Sequence, residues 1–301
     1  MMEEYDYDIN ELKAAGKVSA LAMGHARTLA KPGAKLEDVA QGIEKFIKDS
    51  GCDMAFPVNL STDSEAAHYT PEHGDARVIG ENDVIKVDLG ARRNTNLTDC
   101  AFTLSLNNKY SKLVEASEEA LENALSMVKS GRSVCDIGGE IEKTARKHGF
   151  NPIKNLGGHG ISEEDLHAGK FIPNFNNGDS TQLKEGELIA IEPFVTTGVG
   201  QVTDGSTTQI YQIISTRMPR SQEARQVLEF CTGNYSTYPF ALRWLISGMK
   251  ISEFMIRKSI SELITIGDIE AFPVLVEKSK GIVAQSEKTV IVGSEGCTVI
   301  T

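Results

Sequence analysis

The sequence predicts an α+β chain built from two similar halves. Each half is a helix pair followed by an antiparallel hairpin, and extra helices are inserted late in the second. Three alignments within the chain predict this. KPGAKLEDVAQGIEKFIKDSG (residues 31–51) lies without a gap on KSGRSVCDIGGEIEKTARKHG (129–149), so that Gly33, Asp38, Ile43-Glu44-Lys45 and Gly51 meet Gly131, Asp136, Ile141-Glu142-Lys143 and Gly149. DVIKVDLGA from Asp83 lies on ELIAIEPFV from Glu187, setting Asp88 against Glu192. LTDCAFTL from Leu97 lies on QSEKTVIV from Gln285, setting Asp99 against Glu287. A repeat of this length marks a duplicated supersecondary unit. Four carboxylates at equivalent positions argue against chance similarity of short apolar strands.

The elements follow in order. Residues 10–30 read as a helix with Leu12, Ala15, Val18 and Ala22 on one face, ended by Pro32-Gly33. Residues 36–49 carry the stripe Val39, Ile43, Phe46 and Ile47. The stretch 83–106, DVIKVDLGARRNTNLTDCAFTLSL, reads as two strands about the polar turn Arg93-Asn94-Thr95-Asn96. An even-length loop pairs even-numbered with odd-numbered residues, which puts Asp88 and Asp99 on one face. Two neighbouring carboxylates repel each other; a solvated hairpin face tolerates them, and a pair of divalent cations would use them. The second helix pair covers 111–129, with Leu113, Leu121 and Val128 inward, and 134–147, with Ile137, Ile141 and Ala145. Between Ile214 and Ala284 the second hairpin is interrupted. Residues 221–231, 239–248 and 252–264 show helical spacing, and the sequence predicts a helical subdomain over 217–274 within one catalytic unit spanning 1–301.

Length and composition suit a large core: 40% of the 301 residues are hydrophobic and 24% charged, ordinary for a globular protein. A formal net charge of -11 argues against nonspecific binding to nucleic acid or anionic membranes. The five cysteines (Cys52, Cys100, Cys135, Cys231, Cys297) are odd in number and scattered, as expected of reduced cytoplasmic thiols. The beginning, MMEEYDYDIN, lacks the apolar core of a signal peptide, and no apolar run approaches the roughly 20 residues that span a bilayer. A soluble cytoplasmic protein is the expectation.

Four carboxylates meeting at a pseudo-twofold interface need cations to be tolerated. His159, in NLGGHGI, offers a nitrogen ligand, with glycines that let the backbone turn tightly beside a bulky centre. An oxygen-rich set with one imidazole suits Mn, Fe or Co better than structural Zn. Two bridged metals activate water and polarise a carbonyl, which is hydrolytic chemistry. The plain alternative for His159 is a glycine-loop histidine bonded to backbone. His68 (EAAHYTP) and His167 (DLHAG) sit in irregular polar contexts, able to bond a substrate carbonyl or shuttle a proton, or simply to be surface-loop histidines. His25, His73 and His148 read as structural. Phe56 and Pro57 form either an apolar pocket wall or core.

The runs FPVNLSTDSEAAHYTP, KVDLGARRNTNLTDCAFT, NLGGHGI with LHAG, AIEPFVTTGVG and QSEKTVIV resemble a type II methionine aminopeptidase of the archaeal kind, over essentially the whole chain. The resemblance implies the pita-bread fold, with the late helical insertion that separates type II from type I. It implies two divalent ions (Co, Mn, Fe or Zn) held by Asp88, Asp99, His159, Glu192 and Glu287, with Asp99 and Glu287 bridging. It makes Glu192 the proton acceptor, His68 and His167 the substrate-contacting histidines, and Phe56 part of the methionine pocket. The implied activity is removal of the initiator methionine from nascent chains whose next residue is small and uncharged. Nascent N-termini are then the partners of a monomeric enzyme with no membrane and no specific nucleic acid, and the inserted helices are free to meet the ribosome. The turn at 92–96 lacks the family's frequent Asp-Gly, and Cys100 stands where Thr is common. Two competing readings are a prolidase or aminopeptidase P, which carries a sizeable extra N-terminal domain, and a catalytically dead member binding RNA or a protein. The latter would lose ligands and expose basic patches.

Overall fold

The structure, a computed structural model, describes residues 7–301; the first six residues of the acidic leader lie outside the described residues. Helix α1 (Ile9–Leu29) starts at Asp8, whose carboxylate accepts from the N–H groups of Asn10 and Glu11 and so satisfies two donors that a helix start leaves open. With α2 (Leu36–Asp49) it forms the first helix pair; α3 (Ser111–Met127) and α4 (Val134–Lys147) form the second. Repetition extends to backbone geometry. The aligned glycines Gly33 and Gly131 have φ +84° and +80°, and Gly51 and Gly149 have +81° and +83°, a left-handed conformation open to glycine at no steric cost.

Both pairs cover one face of an antiparallel sheet. Its strand order is Asp165–Pro173, Gly157–Ser162, Leu188–Ile191, Glu287–Val292, Cys100–Ser105, Val84–Leu89, Asn59–Thr62, with Cys297–Val299 branching from Glu287–Val292. The halves meet where Glu287 pairs with Ala101 and Lys288 with Cys100. Side chains alternate across a strand. Val87 and Leu89 therefore pack with Val39, Ile43 and Ile47 of α2, and Ile189 and Ile191 with Ile137 and Ile141 of α4. Asp88 and Glu192 take the opposite face.

Registers differ between the hairpins. In the first, Asp88 pairs with Ala101, and the same register runs on through Arg92↔Leu97 and Arg93↔Asn96 to a turn at Asn94, φ +53°. Asp99 is thus two residues from the partner of Asp88, on the same face. In the second, Ile191 pairs with Lys288 and Phe194 with Gln285, which sets Glu192 directly opposite Glu287. The copies have slipped by two residues, which preserves parity.

The second hairpin continues as the long strands Val202–Ile213 and Ile269–Glu277, and between them come α5 (Gln222–Tyr235), α6 (Leu242–Gly248) and α7 (Glu253–Ile266) around a separate core of Val227, Leu245, Ile256 and Leu263. The expected helix at 239–248 begins later. Phe240 and Ala241 are extended and pair with Tyr211 and Ile210, which satisfies their backbone groups beside the fully buried Phe240 ring. Among the described residues no helix is long and apolar enough to cross a membrane.

Candidate metal centre

Asp88 is the next-to-last residue of Val84–Leu89 and Asp99 just precedes Cys100–Ser105; in the second half Glu192 just follows Leu188–Ile191 and Glu287 opens Glu287–Val292. The sheet brings all four to one point. Ligand atoms of Asp99, His159 and Glu287 lie within 4.8 Å of one another, and all three residues are buried. His159 Nε2 is 3.5 Å from Asp99 Oδ2 and 3.8 Å from Glu192 Oε1. Its Nδ1 donates to the Gly160 carbonyl at 3.2 Å, which turns the Nε2 lone pair toward the carboxylates.

His159 stands in the strand Gly157–Ser162 rather than in a glycine loop, which corrects the sequence expectation. Its glycines serve close approach. A Cβ on Gly158 would lie 2.2 Å from the Ala190 carbonyl oxygen, and one on Gly160 2.1 Å from that of Ala168. His167 is likewise in a strand, Asp165–Pro173, with its ring 4.4 Å from that of His159. His68 follows the strand Glu65–Ala67 in a left-handed conformation (φ +65°), unusual for a non-glycine residue, with its ring edge-on to Phe272. His25 stacks on Phe46, His148 bonds Glu119 at 2.6 Å, and His73 lies 3.9 Å from Glu37, all away from the centre.

Sequence reasoning missed Gln285. Its Nε2 donates to Asp88 Oδ2 at 3.3 Å, Glu192 Oε2 at 3.2 Å and Glu287 Oε2 at 3.3 Å. Two N–H bonds cannot serve three carboxylates well, and every contact is long. The signal was present, because Gln285 precedes Glu287 by two and so shares its face. Thr289 was missed too. Its hydroxyl accepts from the Asp99 N–H and donates to the Asp99 carbonyl, both at 2.7 Å, holding one half's carboxylate from the other half.

Electrostatics show what the centre needs. Burial pushes the Asp88 carboxyl well above its ordinary range, and Asp99 pushes it further, while amides of Gln285 and Asn59 oppose the shift. Burial and the neighbouring carboxylates raise Glu192 and Glu287 in the same way. Asp88 Oδ1, Asp99 Oδ1 and Glu287 Oε1 are buried without a hydrogen-bond partner, each an omission worth roughly 1–3 kcal/mol. Divalent cations would fill those valences, and an oxygen-rich set with one imidazole fits them. Burial also drives the histidines toward the neutral form: His159 and His68 to about 4, and His167, at the open mouth, to about 4 with help from His159.

Above the centre opens a cavity of about 330 Å³. Asp88, Asp99, Glu192 and His159 line its base, His68 and His167 its flanks, and Phe56, Ile210, Pro239 and Phe272 its apolar wall. Pro57 is buried outside this lining. Paired carboxylates around an imidazole beneath such a cavity are the construction of a metal-dependent hydrolase.

The chain belongs to metallopeptidase family M24, whose sequence model matches residues 10–231. It is 42% identical over 288 residues to a methionine aminopeptidase of Thermococcus onnurineus, covering 95% of this chain and 97% of that one. A solved thermophilic Arx1 superposes with TM-score 0.85 at 19% identity, covering 97% of this chain and 91% of that one. The crystal structure of a methionine aminopeptidase from Thermotoga maritima gives 0.71 at 22%, covering 98% of each chain. The fold is the pita-bread fold, and membership of the family implies use of divalent metal.

Proposed function

We propose that this protein removes the initiator methionine from nascent polypeptides whose second residue is small and uncharged, with two divalent ions seated on Asp88, Asp99, His159, Glu192 and Glu287. The observation that carries the reading is the convergence of these five side chains beneath the apolar cavity. The two ions, whether Co, Mn, Fe or Zn, would supply Lewis-acid polarisation and a water that loses its proton near neutral pH. Asp99 and Glu287, nearest the seam between halves, would serve as ligands common to both ions.

The other roles follow from position. Glu192 lines the cavity and takes the proton of the attacking water, then returns it to the leaving amine. His68 and His167 flank the cavity, where as neutral imidazoles they would orient the scissile carbonyl by hydrogen bonds rather than by charge. Phe56 and the facing apolar wall bury the thioether, an adaptable chain suited to an irregular cavity. A free α-amino group completes the fit, so a blocked N-terminus is refused. The enzyme works as a cytoplasmic monomer, and helices within 217–274 form its surface for any contact with the ribosome.

The test is to strip the protein with chelator, restore single metals and assay Met-Ala-Ser against Met-Lys-Ser and an acetylated control. Metal-dependent release of methionine from the first alone is expected. No release under any metal defeats the reading, and equal cleavage of the acetylated peptide defeats the role of the amino group.

A further inference from the structure

A second buried charged group lies away from the carboxylates, where α2, the cavity wall and the inserted helices meet. Arg243, in the first turn of α6, is 2% exposed, and Glu44 of α2 is 7% exposed. Their side chains form an ion pair. Glu44 Oε2 accepts from Trp244 Nε1 at 3.0 Å, and its Oε1 accepts the N–H of Val58 at 3.4 Å. Arg243 Nη1 donates to Thr70 Oγ1 at 2.6 Å and to the Pro71 carbonyl at 3.1 Å, and Thr70 Oγ1 donates to the Val58 carbonyl at 2.7 Å.

Several of these bonds hold segments that run on into the cavity lining. Val58 lies between Phe56 and Asn59, both on the wall. Thr70 is two residues past His68. Pro239 and Ile210 join the network through the extended segment just before α6, where Ile210 pairs with Ala241. One carboxylate and one guanidinium thus fix three independent chain segments relative to one another.

Burying a pair of charges is expensive, and an apolar pair of the same volume is often as stable. The repeat shows that the scaffold does not require it. Glu142, aligned with Glu44, is partly exposed and pairs with Arg146 of its own helix at 3.5 Å. Burial of Glu44 therefore answers to the insertion and the cavity.

We infer that Glu44 and Arg243 are positioning residues that set the shape of the side-chain pocket, and through it affinity for the N-terminal residue, without acting on the metal centre. The inference rests on the aminopeptidase reading above.

Three metal-loaded variants test it: Glu44→Gln, Arg243→Met, and the double variant Glu44→Met/Arg243→Met. Each is measured for melting temperature, metal stoichiometry, kinetics on Met-Ala-Ser and calorimetric binding of free L-methionine. The single variants should melt lower, because each leaves a buried group unpaired. The double variant should regain stability and, like the single variants, keep the parent's metal content, yet show a KM and a methionine Kd raised about tenfold or more, with kcat within about twofold of the parent. A double variant whose KM and methionine affinity return with its stability overturns the inference and leaves the pair a structural one. Parallel loss of metal and kcat overturns it as well. Failure of the parent itself to release methionine would instead defeat the aminopeptidase reading, and the methionine-binding comparison still decides the role of the pair.

Discussion

The two halves solve one problem with different side chains. The first supplies short aspartates from strands whose register sets them diagonally, Asp99 two residues away from the partner of Asp88. The second supplies longer glutamates set directly opposite each other. Each combination of reach and register delivers its carboxylates to the same point. A duplicated scaffold can therefore drift by a full side-chain period and keep its site, because a slip of two preserves the face and a slip of one destroys it. What the halves do not share is decoration. The first hairpin closes in a tight turn, whereas the second extends into long strands that supply Ile210 and Phe272 to the cavity wall and carry three helices around a core of their own. The four carboxylates belong to the repeat, while Ile210, Pro239 and Phe272 of the cavity wall belong to the departures from it.

Four experiments would break or sharpen this contrast. Glu287→Ala removes a carboxylate at the seam; it should lose at least one metal equivalent and more activity than the roughly 10–100-fold that a missing outer partner costs. Retained turnover with two ions would show that this position was misread. Gln285→Leu keeps every carboxylate but deletes the amide that touches three of them, so metal affinity by calorimetry should fall about 10–100-fold. An unchanged affinity would mean that strand register alone aims the ligands.

Glu277 tests the second half's extension. It is fully buried, and burial alone would raise its pKa. The N–H groups of Gly200, Ser279 and Gly281 and the Ser279 hydroxyl outweigh that and hold it below the ordinary value. A carboxyl with a depressed folded pKa stabilises above its unfolded value, near about 4.3, and loses that contribution as pH falls through the folded one. Glu277→Gln should therefore melt lower than the parent at pH 7, with the gap closing below about pH 4. A gap independent of pH would assign the loss to shape rather than charge. The smallest effect is expected of Glu142→Gln, a half-exposed contact worth less than about 0.5 kcal/mol, with KM unchanged. A large shift there would remove the asymmetry between Glu44 and its repeat partner.

Some of this architecture was legible in the residues alone. Both helix pairs announce themselves by apolar period and by their alignment, and the first hairpin by alternation around a polar turn. Parity along the strands is enough to put Asp88 and Asp99 on a common face. The strands holding His159 and His167 were hidden, because glycine is depleted in strands and reads as loop. Only the facing carbonyls of Ala190 and Ala168 explain why glycine is needed there. Gln285 stood within a quoted motif, but its role depends on which strands adjoin, a long-range fact. Glu44 and Arg243 lie 199 positions apart, and nothing local joins them.

The hydroxyl of Thr289 grips both backbone atoms of Asp99 from across the seam, so the chain's two parts cannot drift apart like the covers of a book without dragging that aspartate along. An ion held by both parts would tie them together at the same place as this pair of hydrogen bonds does.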